Sequence, residues 1–343
     1  NEVCFRVDSA PMTEADAPTP LPTETVGALR NPFSVAGFRL WWLASIVAGT
    51  GVGIQAVTVP LYIRDRVAED HRAVAIAAAL ICQTLPGAAL ALVGGVVADR
   101  VERRRILVRT YLVAAAASLA YVGLAGMEAD VIWPVFLLAA VVGSAGAFTN
   151  PARQAMVPQI VSQSQLQNAA IFGTMAFMAT LQFGGPSIGG VLADGYGLTW
   201  AFATEVAALG AAALLFSRIA TDPPIPTGKS VFRDLIEGLR YVRRNSSLLG
   251  ILALVTIPGM LLMGPFRGTM VLIVQDVYED SGKFVGFLVG SVGGGILIGS
   301  FLLSVLKLRR RGFLLCFSLL SGGTFWILYG FAPNIWLAMG LVF

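Results

Sequence analysis

Charge is what this sequence has least of. Only 13% of its 343 residues are Asp, Glu, Lys or Arg, while 56% are hydrophobic and the mean hydropathy is +0.75. A soluble domain carries about 25% charged residues, so that class is excluded. Cysteine occurs three times, as Cys4, Cys82 and Cys316, far apart and in two cases inside apolar runs. Such spacing offers neither a disulfide framework nor a cysteine-based metal site. The one histidine, His71, falls in a loop and carries no evident chemistry. There is no Gly-x-x-x-x-Gly-Lys-Ser/Thr phosphate loop and no nucleophile–base pair. No cofactor, no metal and no ATP-driven chemistry by this chain alone are therefore expected.

What fills the chain instead is long apolar runs, at about 39–63, 73–97, 106–126, 131–149, 166–193, 199–219, 248–275, 284–306 and 313–331, with a tenth opening at 335. About 20 such residues cross a hydrocarbon core of roughly 30 Å. In lipid the backbone must satisfy its own hydrogen bonds, so the runs are helices, and they are too continuous for a barrel. The fold class is all-α, a polytopic membrane bundle. A run opening at 335 is too short to span by Phe343, which predicts a longer parent chain. Residues 1–30 are polar and read as a disordered tail, with Met12 resembling a natural start. No cleavable signal peptide is visible, because the first apolar run is too long and lacks a small-residue cleavage site.

Residues 31–219 would hold six crossings and 248–343 part of a second set. Between them, in the segment 220–247, Val231, Phe232, Leu235, Ile236, Leu239 and Val242 recur at helical spacing, with Arg233, Glu237, Arg240, Arg243 and Arg244 opposite. That pattern predicts an amphipathic helix lying on the membrane surface.

The net charge of +4 and pI near 9.1 do not point to nucleic acid, because the basic residues alternate by loop. With the N-terminus in the cytoplasm, eighteen fall inside, among them Arg100, Arg103, Arg104, Arg105, Arg109, Arg153 and Arg309 to Arg311. Only Arg64, Arg66, Arg72 and Lys283 fall outside, a strong positive-inside bias. Asp276, Glu279 and Asp280 outside are compatible with it. A weak repeat also relates VPLYIRDRV at 59–67 to MVLIVQDVY at 270–278, with Gly53 matching Gly264. The Arg triplets 103–105 and 309–311 recur in the same sense. Repeats of this kind accompany a pseudo-symmetric transport site near the midplane.

Three motifs carry a family resemblance. GGVVADRVERRRIL (94–107) resembles the signature loop of the major facilitator superfamily, Gly-x-x-x-Asp-Arg-x-Gly-Arg-Arg. Gly95, Asp99, Arg100, Arg103 and Arg104 stand in register, while Glu102 departs from the family's second glycine. A carboxylate at a helix end can face the positive end of a neighbouring helix, and arginines can pair with it. The resemblance implies a conformational latch; the plainer alternative is an ordinary basic anchor. GPSIGG (185–190) resembles the core of the antiporter motif of exporters in the superfamily through Gly185, Pro186, Gly189 and Gly190, with Leu181 where an earlier glycine is expected. Proline bends a helix and small residues admit a close neighbour; a generic packing face is the alternative. NPARQAMVPQIVSQSQLQNAAIF (150–172), read as crossing a cytoplasmic loop into helix five, and FRDLIEGLRYVRRN (232–245) are similar to the branch containing macrolide efflux proteins and enterobactin exporters.

The resemblance covers about residues 30 to 343. It implies a twelve-helix fold, of which nine or ten are present here, in a multi-pass protein of the bacterial inner membrane, monomeric, with its N-terminus cytoplasmic. It implies a secondary exporter of a small amphipathic molecule such as a drug or siderophore, with protons as coupling ion; import, or lipid flipping, by the same fold is the alternative. A membrane-embedded enzyme is a further class, but the acidic or histidine clusters such enzymes use are missing. The basic residue the family carries in helix four, expected near Ala139, is absent. A charge inside the membrane costs about 2.5–3.5 kcal/mol unless partnered, which singles out Arg267 and Glu205. Arg267 either meets substrate or the gate, or snorkels to the interface. Glu205 lies in a peripheral helix and reads as structural. Gln55, Gln83 and Gln182 either line the path or bond between helices.

Overall fold

The computed structural model describes residues 31–127, 131–221, 270–278, 282–305 and 311–343, with positions 240, 243, 245, 249 and 250. The N-terminal tail, nearly all of the amphipathic segment and most of the run 248–275, Arg267 included, lie outside the described residues.

Among the described residues there are ten α-helices: α1 (Ala36–Arg66), α2 (Glu69–Arg100), α3 (Arg103–Gly126), α4 (Trp133–Ile160), α5 (Gln163–Ala179), α6 (Gly185–Tyr196), α7 (Leu198–Ser217), α8 (Gly282–Val305), α9 (Arg311–Tyr329) and α10 (Ile335–Val342). Each matches an apolar run. A π-turn, Thr180–Gly184, joins α5 to α6, so these two form one crossing. Chain breaks are minimal: Val67 and Ala68 separate α1 from α2, Val101 and Glu102 separate α2 from α3. Ser162 and Gln165 bond reciprocally to cap α5, which fixes the sharp turn after α4. Among the described residues, six helices are long and apolar enough to cross a membrane by length and composition.

One expectation is corrected. The segment 150–160 does not form a loop; α4 continues through it to Ile160, with Pro151 and Pro158 inside the helix. Its Ala152, Arg153, Met156 and Val157 are buried, so packing against the bundle outweighs the two lost backbone bonds. Helix five, expected as one piece over 166–193, is interrupted by the π-turn directly before Pro186. The ring of an interior proline displaces the preceding turn, and a widened turn absorbs it.

Apolar side chains gather into three clusters. The largest fills the end of the first six crossings that carries the α2–α3 turn; it includes Phe38, Trp41, Leu107, Tyr111, Met156, Phe177 and Phe216. A second, with Tyr62, Ile63, Ile76, Tyr121 and Phe202, fills the end carrying the α1–α2 turn. The third joins α1 to the later helices through Val57, Leu61, Met270, Val274, Val285 and Leu288. Many large apolar residues, including Leu85, Leu119, Trp133, Leu137 and Leu214, stay exposed. In water that would be an aggregating surface; for a chain in lipid it is the solvated one.

Candidate functional site

The glycine motif of α6 is where the first six crossings meet the later helices. A Cβ on Gly185 would come within 2.6 Å of Gly53 Cα in α1, and one on Gly189 within 3.1 Å of Ile54 Cα. On the other face of α6, a Cβ on Gly190 would meet Gly282 O at 2.7 Å and Gly286 Cα at 2.8 Å, both in α8. Pro186 backs onto Gly53 and Gly286. The backbones of α1, α6 and α8 thus touch with no side chain between them, an approach only glycine permits. All four motif positions read from the sequence, Gly185, Pro186, Gly189 and Gly190, are buried here.

Gln182 lies in the π-turn, against Gly293 of α8. Gln55 and Gln83 come together: the Gln83 amide donates to Gln55 Oε1 at 3.3 Å. Both line a small cavity among α1 to α4, with Tyr121 and Ala139 on its wall. Gln55 is buried. Ala139, where a basic residue was expected by resemblance, is therefore a cavity position. A more open groove lies between α3 and α4, with Arg109, Thr110, Ser144 and Phe148 on its walls.

At the α2–α3 turn the described partners are not those the motif suggests. Arg104 Nε reaches Glu102 Oε1 at 2.8 Å and Arg105 bonds the other oxygen. Asp99, exposed at the end of α2, has no hydrogen-bond or ion-pair partner among the described residues. Gly95 has open space where a Cβ would stand, whereas its neighbour Gly94 lies against the backbone of Ala147. Arg103 opens α3 and Arg100 closes α2.

Three features were missed in the sequence. Arg153, counted there as a loop cation, is only 2% exposed, its guanidinium 3.7 Å from the Phe177 ring centroid. That is a cation–π contact in a desolvated place, and it follows from the continuation of α4. Glu205, fully buried in α7, accepts from the Ser118 hydroxyl of α3, a bond between two helices that no sequence spacing reveals. Third, Asp276 accepts from Arg64 and Arg72 across more than two hundred residues of chain.

A family model described as transmembrane secretion effector matches residues 28–342. The chain belongs to that family. Among curated proteins it is 27% identical over 316 residues to the enterobactin exporter EntS of Escherichia coli O1:K1 / APEC, covering 89% of this chain and 72% of that one. It is 26% identical over 313 residues, with the same coverage, to the enterobactin exporter of Shigella dysenteriae serotype 1 (strain Sd197). Among solved structures, a bacterial homolog of the human lysosomal transporter Spinster, inward-facing and unoccupied, superposes with a TM-score of 0.61 at 16% identity, over 92% of this chain and 72% of that one. A D-xylose–proton symporter gives 0.56 at 16% identity, over 89% and 77%. The chain is a major facilitator superfamily transporter of the enterobactin-exporter-like branch, an all-α multi-pass membrane protein. It is a secondary transporter that exports small molecules.

Proposed function

We propose that the transporter expels a small amphipathic molecule, a siderophore or a drug, in exchange for protons, by rocking residues 31–219 against the helices after residue 248. The contact of α6 with both α1 and α8 at Gly185, Gly189 and Gly190 carries this reading. A seam of bare backbone has no side chains to repack, so two rigid bodies can part and meet there at low cost. On this reading the α2–α3 turn is cytoplasmic, as the basic residues favour, and the α1–α2 turn is outer. Asp99 with Arg100, Arg103 and Arg104 then forms the cytoplasmic latch, and the chain works as a monomer.

The Gln55–Gln83 pair is the part of the described cavity suited to a polar ligand edge, since amides donate and accept without charge. Gln182 and Arg267 complete the proposed set of path residues, Arg267 from outside the described segment. Similarity to enterobactin exporters favours a catechol-bearing siderophore as first candidate. The proposal is tested in proteoliposomes loaded with enterobactin or a cationic dye under an inward-acid or outward-acid gradient. Flux that collapses with a protonophore supports it. Flux indifferent to the proton gradient removes the coupling ion, and equal flux in both directions without any gradient removes active export.

A further inference from the structure

Two of the four basic residues on the outer face are held by a single acid. Arg64, in the last turn of α1, places Nη2 2.9 Å and Nε 3.2 Å from Asp276 Oδ1. Arg72, in the first turns of α2, places Nη1 3.3 Å from the same oxygen. Arg72 Nε also donates to the Val67 carbonyl at 3.1 Å, which ties it to the α1–α2 turn. Arg64 stands 3.6 Å from Asp65 as well. The other two outer cations are spent on rings: Arg66 lies 3.8 Å from the Tyr62 centroid and Lys283 5.4 Å from that of Phe284.

Asp276 belongs to the π-turn Ile273–Val277, in the helices that follow residue 248, whereas both arginines belong to the first six crossings. Side-chain exposures of 26%, 23% and 23% for Arg64, Arg72 and Asp276 leave the cluster about a quarter open to water, where ion pairs are stronger than at a fully open surface. Two arginines against Asp65 and Asp276 make it neutral. Once Asp276 moves away, two cations remain with Asp65 alone, and Arg72 cannot follow because it is bonded to its own turn. The carboxylate is gained in one arrangement of the molecule and lost in the other, which is the property of a group that biases a two-state equilibrium.

We infer that Asp276, clasped by Arg64 and Arg72, is the outer latch of the transport cycle, a positioning residue that sets how often the outer mouth opens. This rests on the rocking motion proposed above, and the cluster lies directly over the apolar cluster and glycine seam that close the same end. The repeat found in the sequence adds to it. Asp276 falls opposite Asp65 in the aligned segments 59–67 and 270–278, so equivalent helix ends of the two halves meet where a pseudo-twofold arrangement would bring them.

The test uses the full chain with Cys4, Cys82 and Cys316 replaced by Ser, in membranes, with Ala56→Cys as reporter. Ala56 lines the cavity eight residues, about 12 Å of helix, below Arg64. A membrane-impermeant maleimide is applied from the outer face in right-side-out vesicles and from the inner face in everted ones. In D276N, the ratio of outer to inner labelling is expected to rise roughly tenfold, with inner labelling falling, as when one charge-assisted contact is lost from a two-state equilibrium. The double variant R64Q/R72Q is expected to match it, and the triple variant to add nothing further. Unchanged labelling in D276N, or additive effects in the triple variant, overturns the latch while leaving transport standing. Outer labelling that rises without an inner fall means general loosening and also overturns it. A reporter reached from neither face in any variant overturns the rocking motion itself, and the latch with it.

Discussion

The two ends of the bundle are held by different kinds of contact. At the end that carries the α1–α2 turn, outer on the proposed orientation, backbone meets backbone at Gly190 and Gly286, an apolar cluster joins α1 to the later helices, and Asp276 bridges to α1 and α2. At the other end, cytoplasmic on the proposed orientation, the large apolar cluster draws, among the described residues, on the stretch from Phe33 to Ile219. The described ion pairs there are local, Glu102 with Arg104 and Arg105. On the proposed motion, the contacts at the α1–α2 end join parts that move relative to each other, while those described at the α2–α3 end lie largely within the first six crossings. Changes at the outer end should alter access and flux. Changes in the buried packing at the α2–α3 end of α1 to α7, away from the proposed latch residues Asp99, Arg100, Arg103 and Arg104, should alter stability and leave access as it was.

Gly190→Val should have the largest effect. Its side chain would need the space of Gly286 Cα, so the seam cannot close. Efflux from proteoliposomes is expected to fall more than tenfold, with the protein still folded by circular dichroism; a loss below twofold would deny the seam its role. Arg153→Ala comes next and tests the other end. It removes a buried cation from the Phe177 ring and the packing of its stem, worth about 2 kcal/mol. The thermal midpoint in detergent should fall while the Ala56→Cys labelling ratio between faces stays constant. A shifted ratio would break the contrast between the ends.

Glu205→Ala removes the bond between α3 and α7 and leaves the Ser118 hydroxyl without its carboxylate partner, at about 1–3 kcal/mol. The same thermal measurement should register it, again with no change in access. Glu102→Ala is the smallest: it deletes two partly solvated pairs, worth under about 1 kcal/mol each. If that change shifted access, Glu102 would belong to the proposed latch at the α2–α3 turn through its hold on Arg104, rather than to the local packing.

Much of this was legible in the residues before any coordinates. Apolar runs fix where helices lie because lipid leaves the backbone no other partner. GPSIGG announced a close approach, since four small or rigid residues on a spanning helix have few other uses. What could not be read falls into two kinds. Arg153 was hidden because Pro151 and Pro158 look like loop residues, whereas burial of Ala152, Arg153, Met156 and Val157 in the bundle keeps that segment helical. Glu205–Ser118, Gln55–Gln83 and Arg64–Asp276 are pairs between helices far apart in sequence. Composition nominates such polar residues, but only the rotation of each helix about its axis decides which face each other. Glu102 was legible as an exception to the signature, though not as the carboxylate its neighbouring arginines would select.

The mixture of contacts at the outer end has a consequence for the medium the protein faces. Glycine backbones in contact carry no net charge, so dissolved salt leaves that part of the closure untouched. The arginine–aspartate clasp, a quarter open to water, is weakened as ions crowd around it, over distances of about 8 Å in a physiological medium. If the proposed latch holds, a cell moving from dilute to saline surroundings would loosen one of the fastenings on its own exit route, and the turnover of the pump would carry a built-in response to ionic strength.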